Sequence, residues 1–140
     1  MLYARLPNDL VSRLTDRALR KDFLANALKE AAMPTWFLPA SPQASIVSEE
    51  AITLDGEEDD AYVTLVSLPG GSSLVDATKG KRLDSTRAVL TTQRKNFIYF
   101  FMIEVGSPLP GLQSAPATPA EMATRAQPRL IEFYRGIKFL

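Results

Sequence analysis

The chain has 140 residues, 46% of them hydrophobic and 23% charged, with a formal net charge of zero. That length suits one domain burying about two-thirds of its unfolded surface, and the neutral balance leaves no whole-domain footprint for nucleic acid or anionic membrane. Histidine and cysteine are both absent. This excludes Ser-His-Asp and Cys-His catalysis, disulfides and the usual zinc sites, and leaves Asp, Glu, Lys or Tyr as any general acid or base.

The opening MLYARLPNDL lacks the apolar core of a signal peptide. No apolar run approaches the roughly 20 residues that span a bilayer, so the cytoplasm is the expected compartment. Leu2, Ala4 and Leu6 alternate with Tyr3 and Arg5, as in a short strand or an ordered arm. A helical segment is predicted over 8–32, with Asn8 or Asp9 as its cap. Leu10, Leu14, Ala18, Phe23, Leu24, Ala27, Leu28 and Ala31 supply its apolar spacing. Thr15 and Asp16 allow a break into a helix pair. Pro34 is expected to end the segment, because the residue before proline avoids helical dihedrals.

Residues 35–38 (TWFL) then read as a short strand between prolines. Residues 46–54 form a weak strand that Glu49 and Glu50 interrupt, and residues 61–68 (AYVTLVSL) form a strong one. Asp55 and Gly56 signal the turn between them, since glycine supplies the positive φ. Short strands follow at 73–77 and 86–92, separated by the basic loop 78–84. The longest apolar run is 96–105 (NFIYFFMIEV). Aromatic and β-branched residues suit a pleated strand, and apolarity on both faces marks an inner one. Residues 106–118 are rich in proline and small residues and read as a linker or an exposed loop. Thr118, Pro119 and Glu121 mark the start of a C-terminal helix. Met122, Ala126, Leu130, Phe133 or Tyr134, and Ile137 share its apolar face, with Pro128 interrupting it or starting a second helix. The predicted fold is α+β in a single domain. It is an antiparallel meander of five to six strands, flanked by an N-terminal helix or helix pair and a C-terminal helix.

Motifs that carry chemistry are weak. Residues 71–81 invite a phosphate-loop reading, but Val75 stands where glycine is needed and Arg82 follows Gly80 and Lys81. The acidic turn 55–60 lacks the alternating pattern of a calcium loop, and a solvated hairpin tip explains it. Ser72 and Ser73 beside Lys79 and Lys81 have no glycine elbow around them, so turn chemistry accounts for the serines. No cofactor and no metal is expected.

The leading functional expectation is a non-catalytic protein-binding module: a chaperone, an adaptor or an inhibitor. The alternatives are a small enzyme or ligand-binding domain using Asp, Glu or Lys, and, more weakly, nucleic-acid contact through the basic loops. Candidate partner-binding residues are Trp36 and Phe37 between prolines, Phe100 and Met102 on the long strand, Lys79, Lys81 and Arg82 in the basic loop, and Phe139 in the tail. The expected partner is another protein, not a membrane. If both helical segments pack on one sheet face, the other exposes Ile98, Phe100 and Met102, and a two-fold dimer would cover that patch. One helix on each face would instead close the monomer.

Overall fold

The structure is a computed structural model that describes residues 1–54, 56, 60–106 and 118–137. Most of the acidic turn, the proline-rich stretch and the tail beyond Ile137, Phe139 included, lie outside the described residues. The fold is α+β. Five strands form one antiparallel sheet in the order β1-β7-β6-β3-β2. These are β1 (Leu2–Arg5), β2 (Ser45–Ile52), β3 (Ala61–Leu68), β6 (Ser85–Arg94) and β7 (Phe97–Gly106). β2, β3, β6 and β7 follow one another as a meander, and β1 closes on β7. β4 (Val75–Asp76) and β5 (Lys81–Arg82) make a separate small hairpin inserted between β3 and β6.

β7 is the long apolar strand, and it is an inner one, paired with β1 and β6. Strand periodicity divides its side chains between two cores. Ile98 and Phe100 join Leu24, Leu28, Ala32, Phe37, Val66 and Val89 on one face. Phe101 joins Val63, Leu65, Ala88, Leu90, Ala126, Leu130 and Tyr134 on the other. The first face is covered by α1 (Asn8–Arg13), α2 (Arg17–Ala27) and a π-helical segment, Leu28–Phe37; the second is covered by α3 (Pro119–Arg135). The helical segments therefore cover opposite faces. The exposed Ile98 and Phe100 that motivated a dimer are buried within one chain, at 4% and 1% exposure.

Local chemistry explains the boundaries. The break at Asp16 is real: its carboxylate accepts from the Leu19 amide at 3.0 Å and caps α2. α1 is capped differently from the expectation. Pro7 precedes its first residue, and neither Asn8 nor Asp9 caps through a side chain. α3 begins with the full capping box: Thr118 Oγ1 accepts from the Glu121 amide, and the Glu121 carboxylate accepts from the Thr118 amide. It runs through Pro128 unbroken. Tyr134, not Phe133, faces the core.

The largest departure from expectation lies at 28–38. Pro34 does not end the helix, and residues 35–38 are not a strand. The chain widens into i→i+5 bonding, as in the Leu38 amide donating to Met33 carbonyl at 2.9 Å. A proline has no amide to donate, and its ring crowds the carbonyl one turn back. Widening relieves that crowding while Ala32, Met33 and Phe37 stay buried. Burial overrides the local preference for extension. In β2 the irregularity falls between Ile46 and Ser48, while Glu49 and Glu50 pair in register with Thr64 and Val63.

Candidate functional site

The first core is incomplete at one corner. α2 packs over β3 and β6, so the helix-side face of β1 and β7 is only partly covered. A half-open groove of about 410 Å³ remains between that corner and the helices. Its floor is Ala4, Leu6, Ile98 and Phe100; Leu10, Leu14, Leu19, Phe23, Ala27, Ala31 and Trp36 form its walls. The Trp36 ring meets Phe100 edge-on at 5.4 Å between centroids. Ala4 is small, which leaves the outer margin of the floor low. Arg13, Asp22, Asn26 and Glu30 also line the groove. Asp22, Asn26 and Glu30 recur every fourth residue, so they form one polar stripe along the helical wall. The Asn26 side-chain amide donates to Asp22 carbonyl at 2.9 Å and to its carboxylate at 3.3 Å.

A second cavity, of about 420 Å³, sits at the sheet end that carries the β6–β7 turn. Arg20, Asp60, Arg94 and Lys95 line it with Thr15, Thr92 and Gln93. The antiparallel order of β2, β3, β6 and β7 brings Asp60, immediately before β3, to the same end as Arg94 and Lys95. Asp60 also accepts from the Leu54 amide at 2.6 Å, which ties the β2–β3 loop down. Arg94 stacks over the Tyr134 ring and donates to its hydroxyl. These charges belong to the architecture of the sheet end.

The sequence-predicted residues scatter. Trp36 and Phe100 come together in the groove. Phe37 does not reach a surface: it is 1% exposed in the helix-side core. Met102 packs half-buried at the margin of that core, outside the groove. Lys79, Lys81 and Arg82 lie on the β4–β5 hairpin or its turn, all exposed, and none lines the groove. The phosphate-loop reading of this segment fails on geometry. The amides of Gly70, Gly71, Ser72, Leu74, Thr78, Lys79 and Gly80 all donate within the chain. Ser72 is buried and donates to Glu104 at 3.1 Å, not to a lysine.

Asp76 organises the hairpin turn. Its carboxylate accepts from Thr78 Oγ1 at 2.6 Å and from the Thr78 and Lys79 amides at 2.8 and 3.3 Å. The Thr78 hydroxyl, then the amides, hold its pKa below the ordinary 3.8. The contribution to the turn is therefore complete above that value and is lost as pH falls through the lowered one.

Among the described residues the fully buried polar side chains are Ser41, Thr64, Ser72, Ser85, Thr91 and Thr92, none of them charged. Also among the described residues, no group of three or more Asp or Glu side chains is placed to hold a metal, and no helix is long and apolar enough to cross a membrane.

The sequence reading sets Phe23, Ala27 and Ala31 in one apolar spacing with Leu24 and Leu28 and omits Leu19, so it does not separate the groove wall from the core. The missed signal is a second stripe: Leu19, Phe23, Ala27 and Ala31 recur every fourth residue beside the core stripe of Leu24 and Leu28. Together they make an apolar arc wider than one packed face requires. Leu19 is 45% exposed, so part of this arc is open to solvent among the described residues. Comparison of the chain with protein-family models, with curated proteins and with solved structures found no match.

Proposed function

We propose that this chain is a non-catalytic protein-binding module, acting as a chaperone, adaptor or inhibitor, and that the groove receives apolar side chains of its partner. The observation that carries this reading is the half-open apolar groove itself. Protein interiors pack as densely as organic crystals. An apolar-lined space of this size, left open at the surface, is a seat for side chains from elsewhere. Asp22 and Glu30 on the helical wall favour a partner whose apolar residues are flanked by lysine or arginine. The partner is another protein; a second copy of this chain is the competing occupant. A second reading has one observation in its favour. The volume of about 410 Å³ also falls in the range of small-molecule pockets, about 300–1,000 Å³, so a small apolar ligand is the alternative.

Trp36 is the only tryptophan, and it lines the groove, so its emission reports occupancy. The protein is titrated with a leucine-rich, lysine-flanked peptide and, separately, with dodecanoate. The peptide should shift Trp36 emission. Ala31→Phe, which fills the groove from an exposed position, should weaken that response about tenfold, as expected for losing one modest apolar anchor. Leu19→Asp should weaken it further without lowering the melting midpoint. A response to dodecanoate alone moves the reading to a small-molecule site. A folded protein whose Trp36 answers neither probe has no functional groove.

A further inference from the structure

We infer that the segment seated in the groove is an extended strand that pairs with the outer edge of β1. This inference rests on the groove reading and adds the backbone that carries the side chains. β1 is the outermost strand on the groove side of the sheet. Its register with β7 sets Leu2 opposite Phe100, Tyr3 opposite Tyr99, Ala4 opposite Ile98 and Arg5 opposite Phe97. The Leu6 amide donates to Asn96 carbonyl at 2.7 Å. In an antiparallel ladder, backbone groups turn toward the partner at every second residue. Leu2, Ala4 and Leu6 thus direct theirs at β7. Tyr3 and Arg5 direct their N–H and C=O groups outward, where no strand lies among the described residues. That edge offers donors and acceptors in strand spacing.

The side chains agree with this backbone geometry. Ala4 lies on the helix-side face with Ile98 and lines the groove. A strand added to β1 sets the residue opposite Ala4 on that same face, at the groove mouth, and turns its neighbours toward the Tyr3 face. Tyr3 is 61% exposed there and packs against Phe97 and Tyr99, at 6.0 and 6.1 Å between centroids. The opposite edge of the sheet is not equivalent. β2 carries a register shift at Ile46 and Ser48, two consecutive glutamates, and a Lys29–Glu49 ion pair at 3.1 Å. Bulges and charges of this kind blunt an edge against further pairing. The partner is accordingly a segment with alternating aliphatic residues, whose lysine or arginine reaches Asp22 and Glu30. This is strand addition, in which main-chain bonds supply affinity and alternate side chains supply specificity.

The test uses the full chain and a seven-residue capped peptide of alternating threonine and aliphatic residues with a lysine at each end. Two twins carry N-methyl groups on one or the other alternate set of amides. The parent peptide should shift Trp36 emission and slow hydrogen exchange at the Tyr3 and Arg5 amides. One twin should lose about tenfold or more in affinity, because its methyl groups remove the bonds to β1, and the other should bind like the parent. Two twins that both match the parent overturn the strand and leave the groove standing. A groove that answers dodecanoate but no peptide also overturns the strand, whereas a groove that answers nothing overturns the reading beneath it. Protection of Tyr3 and Arg5 in the free protein that rises with its concentration assigns the edge to a second copy and overturns the partner strand.

Discussion

At the scale of single residues, two neighbours on β7 do opposite jobs. Phe100 packs toward the helices of the N-terminal half, and Phe101 packs toward α3, where it meets Phe133 and Tyr134 edge-on at 5.8 and 5.7 Å. Phe101 is fully buried. Phe101→Ala removes its dispersion contacts and leaves a cavity, which costs about 3–5 kcal/mol for a large aromatic. Since a domain holds only about 5–15 kcal/mol in reserve, a urea melt should show most of the stability gone. A loss below about 1 kcal/mol would contradict the packing described. Phe100 carries a further role: its ring closes the groove floor against Trp36, so one strand supplies both core and site.

At the scale of elements, the chain follows local chemistry wherever burial does not oppose it. Thr118 and Glu121 form their capping box, and Asp16 caps α2. Asp16→Ala leaves first-turn amides of α2 without that acceptor and should cost about 1 kcal/mol, read as a lowered denaturation midpoint with unchanged slope. Because α2 carries Leu19, Phe23 and Ala27 of the groove wall, the same variant should loosen groove binding while β-sheet amides keep their exchange rates. The segment Leu28–Phe37 is the counter-example. Pro34 argues for a stop, yet Ala32, Met33 and Phe37 reach the core only if the chain keeps coiling. Widening to π-type bonding satisfies both demands, and it sets Trp36 at the groove instead of on an edge strand.

At the scale of the molecule, the decisive arrangement is one helical layer on each sheet face. A strand apolar on both faces needs two covers, and here one chain supplies both. Among the described residues α3 is the sole helical cover of its face, through Ala126, Leu130 and Tyr134. Leu130→Asp places a charge in that interface and should detach α3. The uncovered face, with Phe101, Leu90 and Leu65, should then bind an apolar dye and drive concentration-dependent association in sedimentation. The corresponding exposure on the helix-pair side should not change. If Leu130→Asp melts like the parent and stays dye-silent, α3 is not the cover.

What the sequence by itself determined is local. The aromatic and β-branched runs of 61–68 and 96–105 and the cap at Thr118 each follow from a few adjacent residues, whereas Thr15 and Asp16 only allow a break. Those runs and that cap suffice for an α+β chain with β7 as an inner strand, because backbone geometry and side-chain alternation act over one or two turns. Only the tertiary structure decided which helix covers which face, that Pro34 stays inside a helix, and that Trp36 and Phe100 meet in a groove while Phe37 is buried. Those outcomes depend on pairings between distant segments, such as β1 with β7. There the free energy of burying apolar surface outweighs what any short stretch prefers.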